Sequence, residues 1–122
     1  MQITLSTVLD CVKRLQACGV PLPDDIVVYD DGSVAIELDI GNGPEELEYH
    51  QDQELIASRI VWHLLTTGEV FRVTRIRDIS TEALRFTAEL YSYHVGYGPD
   101  PLSACTAAKE AERKEKNGMA QA

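Results

Sequence analysis

Apolar positions in the first eighteen residues recur at helical spacing. Leu5, Val8, Leu9, Val12 and Leu15 fall on one face, Thr4 or Ser6 can cap it, and Gly19 with Pro21 closes it, so the spacing predicts a helix over 5–18. The period then drops to two. Ile26–Tyr29 is a β-branched run, and Asp30-Asp31-Gly32-Ser33 supplies the Asp-Gly signal of a tight hairpin. Val34, Ile36, Leu38 and Ile40 alternate with Ala35, Glu37 and Asp39. After Gly41-Asn42-Gly43-Pro44, the residues Glu46, Glu48 and His50 alternate with Leu47 and Tyr49. Residues 26–50 therefore read as a three-stranded antiparallel meander.

Helical spacing returns at about 52–67. Ile56, Ile60 and Leu64, with Leu55 and Val61 beside them, make the buried stripe, Asp52 the cap and Gly68 the end. Two further strands are expected at 69–77 and 84–95, paired across Asp78-Ile79-Ser80-Thr81. Gly96-Tyr97-Gly98-Pro99 reads as a turn, after which Asp100 and Pro101 suit the cap and first turn of a last helix. Ala104, Ala107, Ala108 and Ala111 give that helix a small, close-packing face. The expected fold is a single α+β domain over 1–116. It has an antiparallel sheet of about five strands packed with three helices, in the order α-β-β-β-α-β-β-α. Residues 117–122 are expected as a frayed tail, with fraying beginning near Glu112.

Composition narrows the class. The chain has 122 residues, 44% hydrophobic and 25% charged, which excludes a disordered, collagenous or disulfide-built protein. The N-terminal stretch has no basic start and no long apolar run, so no secretory leader is expected. Cys11, Cys18 and Cys105 are odd in number and lack a C-x-x-C spacing. They read as free thiols in a reducing cytoplasm, acting as small hydrophobes.

Charge is the strongest bias. Eleven Lys and Arg against twenty Asp and Glu leave a net charge of −9. Such a chain repels phosphate backbones and anionic membranes, so direct nucleic-acid and membrane binding are not expected. The distribution is uneven. No Lys or Arg occurs between Arg14 and Arg59, while Asp24, Asp25, Asp30, Asp31, Glu37, Asp39, Glu45, Glu46, Glu48, Asp52 and Glu54 all do. Arg59, Arg72, Arg75, Arg77 and Arg85 follow. Alternation puts Glu37 and Asp39 on one strand face, and a matching register across the Gly41–Pro44 turn would add Glu46 and Glu48. Like charges facing one another destabilise a sheet unless something offsets them. Arg72, Arg75 and Arg77 are the internal candidates; a basic partner surface is the external one.

Four other groups bear on chemistry. Glu46, Glu48 and His50 share one face at period two, a spacing a divalent cation can use, though exposed strand residues look the same. His63 and His94 have neither a nucleophile nor an orienting acid near them in sequence and read as structural. The 96–100 loop lacks a phosphate-cradle pattern, and Asp100 at the helix start would repel phosphate. Tyr91 and Tyr93, two apart, are core residues if the strand is covered and interface anchors if it is not.

Phe86-Thr87-Ala88-Glu89-Leu90 followed by Gly96-Tyr97-Gly98-Pro99-Asp100-Pro101-Leu102-Ser103-Ala104-Cys105-Thr106-Ala107-Ala108 resembles the closing strand-loop-helix of small phage proteins described as ABA-sandwich domains. About 25 residues carry the resemblance. It implies a phage or prophage origin and no particular catalysis.

The leading expectation is a small acidic interaction protein, with no catalytic residues and no cofactor. It would dock on a basic, nucleic-acid-binding surface of a host protein through Glu37, Asp39, Glu46, Glu48, Tyr91 and Tyr93. Its concrete form is a phage-encoded inhibitor of a host defence system, in the manner of an anti-CRISPR protein. The alternatives are a metal-dependent or hydrolytic enzyme using Glu46, Glu48 and His50, and a homo-oligomeric accessory protein.

Overall fold

Local capping chemistry fixes where each helix starts. The computed structural model describes residues 3–39, 47–77 and 84–121, apart from the side chains at 39, 47, 84 and 118–121. In α1 (Leu5–Ala17), Thr4 Oγ1 accepts a hydrogen bond from the Thr7 amide at 3.1 Å. In α2 (Gln53–Thr66), Asp52 Oδ1 accepts from the Leu55 amide at 3.0 Å. In α3 (Pro101–Gln121), Asp100 accepts from the Ser103 amide at 2.8 Å and from the Ser103 hydroxyl at 2.7 Å. Each cap satisfies an amide with no partner inside the helix.

The strands form two three-stranded antiparallel sheets. β1 (Ile26–Val28), β2 (Val34–Asp39) and β3 (Leu47–His50) lie in the order β1-β2-β3. The hairpin predicted at Asp31-Gly32 is present. Tyr29 donates to the Ser33 carbonyl at 2.9 Å, Gly32 takes φ +86°, and Asp31 accepts from Ser33. β4 (Arg72–Arg77), β5 (Leu84–Glu89) and β6 (Val95–Gly98) make the second sheet, in the order β4-β5-β6. The turn expected across Asp78–Thr81 lies outside the described residues; the strands on either side of it pair as anticipated.

The fold is thus α+β with six strands rather than five, in two sheets, ordered α-β-β-β-α-β-β-β-α. The extra strand comes from residues expected as one long strand plus a turn. A bend at 90–94 breaks the run, with Tyr93 donating to the Leu90 carbonyl at 3.0 Å and Leu90 to the His94 carbonyl at 2.9 Å. Val95–Gly98 then return as β6, with Gly96 across from Ala88 and Gly98 across from Phe86. These glycines are not turn residues. They sit two apart on the face that α3 covers, and both leave room for the helix backbone.

The three helices and the inner sheet faces share one core. Val8, Cys11 and Leu15 of α1 meet Ile56, Ile60 and Leu64 of α2 and Leu102, Cys105 and Ala108 of α3. Val34 and Ile36 close it from the first sheet, and Ala88 and Leu90 from the second. Leu55, expected beside this stripe, is exposed instead. Arg14 ties α1 to α3 by bonding Glu110 through two nitrogens, one at 3.0 Å. Helical backbone continues to Gln121. Side-chain ties at Glu110, Glu112 and Glu115 hold its middle turns. No described helix is long and apolar enough to cross a membrane.

Candidate functional site

The acidic strands were the first candidate, and register decides their geometry. Glu37 lies across from Tyr49, Leu38 from Glu48, Asp39 from Leu47 and Ile36 from His50. Directly paired residues share a face, so Glu37 sits with Tyr49, whereas Glu48 and His50 share the opposite face with Ile36 and Leu38. Glu48 therefore does not join Glu37. Glu46 and the side chain of Asp39 lie outside the described residues. A one-residue shift in the connecting turn is enough to exchange the faces, which alternation within each strand does not specify.

Among the described residues the proposed internal offset is not made. Arg72 Nη2 spans both carboxylate oxygens of Glu89 at 2.9 and 2.8 Å, across its own sheet. Arg75 and Arg77 are exposed and pair with neither Glu37 nor Glu48. The acidic segment gains one partner from α2, where Arg59 Nε bonds Asp25 Oδ2 at 2.7 Å. Glu48 Oε2 and His50 Nε2 are 2.8 Å apart and bond each other. Among the described residues no three His, Cys, Asp or Glu side chains gather as a metal ion would need.

The tyrosines are better placed. Tyr91 and Tyr93 occupy the bend between β5 and β6 and are 63% and 93% exposed. Phe71, at the entrance to β4, is also exposed and stands edge-on to Tyr91, with ring centroids 5.0 Å apart and planes at 80°. The Arg72 guanidinium lies 5.8 Å from the Phe71 ring centre. Phe71, Tyr91 and Tyr93, with Leu90 and Val95, line a surface hollow of about 380 Å³. Tyr93 is the one described non-glycine residue at positive φ, +70°. A left-handed tyrosine costs about 1–2 kcal/mol, and the hairpin loop imposes it: Tyr93 donates to the Leu90 carbonyl and Leu90 to the His94 carbonyl, the same pattern that puts Gly32 at φ +86° in the 29–33 turn. Phe71 was missed from sequence because it sits inside an apolar run that looks like ordinary strand.

A polar clamp anchors the bend from behind. Ser92 and His94, the residues alternating with the tyrosines, turn toward α3. Ser92 Oγ donates to Glu112 Oε2 at 2.6 Å and lies 2.8 Å from His94 Nδ1, while His94 Nε2 meets the Glu115 carboxylate. Lys109, nearly buried, bonds Glu69 at 2.8 Å and Glu112 at 3.1 Å. The Ser92 hydroxyl, with Lys109 beside it, pulls the Glu112 carboxyl down to about 2.

The series serine, histidine, glutamate invites comparison with a hydrolytic triad, but its polarity is reversed. A triad histidine accepts the serine proton. Here the Ser92 proton goes to Glu112, so the hydroxyl has none to give His94. The group holds the bend in place rather than activating Ser92.

No protein-family model matches the chain, and neither does any curated protein or solved structure. The functional reading accordingly rests on this geometry.

Proposed function

We propose that the protein is a small interaction module that docks on a partner protein through the tip formed by Phe71, Tyr91 and Tyr93. The observation that carries this reading is the exposed aromatic cluster itself: Tyr93 is 93% exposed beside Tyr91 and Phe71, which are also exposed and meet edge to face. Large aromatic rings grouped on the surface mark a contact site, and tyrosine supplies much interface area for few frozen torsions. The net charge of −9 favours a basic partner and speeds encounter at low salt. Glu37 and Glu48 contribute to that field from two faces rather than as one acidic strip. The resemblance of the last strand and helix to phage proteins narrows the reading to a phage-encoded inhibitor acting on a nucleic-acid-binding host protein.

The test is a pull-down from bacterial lysate at low and high salt, with wild type and a Tyr91→Ala/Tyr93→Ala double variant side by side. A protein retained by wild type and released by the double variant supports the reading. Charge reversal at Glu37 should weaken retention mainly at low salt. A partner retained equally by the double variant sinks the tip as the docking surface.

A further inference from the structure

A second surface, sharing no residue with the aromatic tip, has the makings of a recognition groove. On α2, Ala57, Val61 and Leu65 recur at helical spacing next to the buried stripe, and Trp62 beside them is 64% exposed. Ile3, Phe86 and Leu102 form the facing wall, and the groove holds about 380 Å³. Its polar lining is Glu54, Ser58 and Asp100, and no Lys or Arg lines it. The long base-free stretch of acids ends here, with Asp52 and Glu54 at the start of α2.

We propose that this groove takes a basic amphipathic helix of a partner protein. The stripe from Ala57 to Leu65 runs about 12 Å along the helix axis, the length over which a partner helix of about three turns presents apolar anchors at i, i+4 and i+7. Trp62 is an anchor with a large apolar body, and its ring face also suits a cationic side chain. Glu54, exposed and with no base in the groove, selects Lys or Arg beside those anchors and disfavours Asp and Glu; Asp100 is already engaged as the α3 cap. Nothing else in the groove would neutralise Glu54 when solvent is expelled.

Trp62 is the chain's one tryptophan, so its fluorescence reports the groove alone. The probe is a synthetic Leu/Lys amphipathic peptide of about four helical turns, set against the same apolar pattern with Glu in place of Lys. The Lys peptide should shift Trp62 emission to the blue and saturate at one to one; the Glu peptide should not. Val61→Asp should weaken binding at least about tenfold, although it adds negative charge and would strengthen any non-specific attraction. Circular dichroism checks that this variant folds. Glu54→Lys, at an exposed position, is the second variant and should weaken binding several-fold. Absence of a shift, equal binding of the Glu peptide, or unchanged affinity in both variants overturns the proposal. So does a dimeric solution mass with Trp62 already blue-shifted, which would assign the groove to a second copy. The Tyr91→Ala/Tyr93→Ala protein should bind the peptide like wild type, so failure here and failure at the tip are distinguishable.

Discussion

A Cβ placed on Gly96 would lie 2.2 Å from the Ala108 amide nitrogen and 2.3 Å from the Ala104 carbonyl oxygen. α3 thus rests on β6 backbone to backbone, and the alanines at 104 and 108 are small for the same reason. The obstruction comes from a helix backbone, which cannot swing aside as a side chain can. Gly96→Ala should therefore cost at least about 3 kcal/mol, at or beyond the usual range for overpacking. Gly19→Ala, where no atom lies within 4 Å of the new methyl, should cost only about 1 kcal/mol of backbone strain. Urea denaturation of the two variants checks the contrast.

The clamp between the bend and α3 makes acid stability depend on Glu112. Its carboxyl titrates near 2 in the folded protein, against 4.5 as the ordinary value. A lowered carboxyl contributes stability above the unfolded value and loses it as pH falls through the folded one. Wild type should accordingly lose its advantage over Glu112→Gln between about pH 4.5 and 2. At neutral pH the variant should be about 1–2 kcal/mol less stable, the worth of hydrogen bonds to a charged acceptor. Thermal unfolding of both proteins across that range gives the comparison, and parallel curves would exclude the assigned role.

Tyr93 should show stability and binding moving in opposite directions. Tyr93→Gly relieves the left-handed strain, for a gain of up to about 1 kcal/mol once the extra freedom of the unfolded chain is counted. The same change removes the most exposed ring of the tip, so partner affinity should fall at least about tenfold. A variant both more stable and fully competent to bind would show that the Tyr93 ring is no part of the interface.

The thiols should divide by burial. Cys11 and Cys105 are buried, and desolvation raises both, Cys105 to about 12, so little thiolate forms at either. Cys18, at the C-cap of α1, is partly exposed. A thiol reagent near pH 8 should titrate one cysteine quickly in the native protein and three in denaturant.

What the sequence determined by itself lies within a turn or two of chain. Thr4, Asp52 and Asp100 cap helices because each side chain reaches an amide three residues on. Asp31-Gly32 turns because the next strand must return at once. The stripes of α1 and α2 follow from period alone, and the first meander from alternation between turn signals. The tertiary structure decided what depends on distant partners. Gly96 and Gly98 look like turn residues until α3 lies against them, because a glycine's reason is the atom that approaches it. The face shared by Glu37 and Tyr49 was set by a register that neither strand encodes alone. Tyr91 and Tyr93 read as core residues or interface anchors from sequence; Ser92 and His94, engaging Glu112 and Glu115 on α3, turned the tyrosines outward. Helix ends are local chemistry; faces, registers and exposed tips are settled where segments far apart in the chain meet.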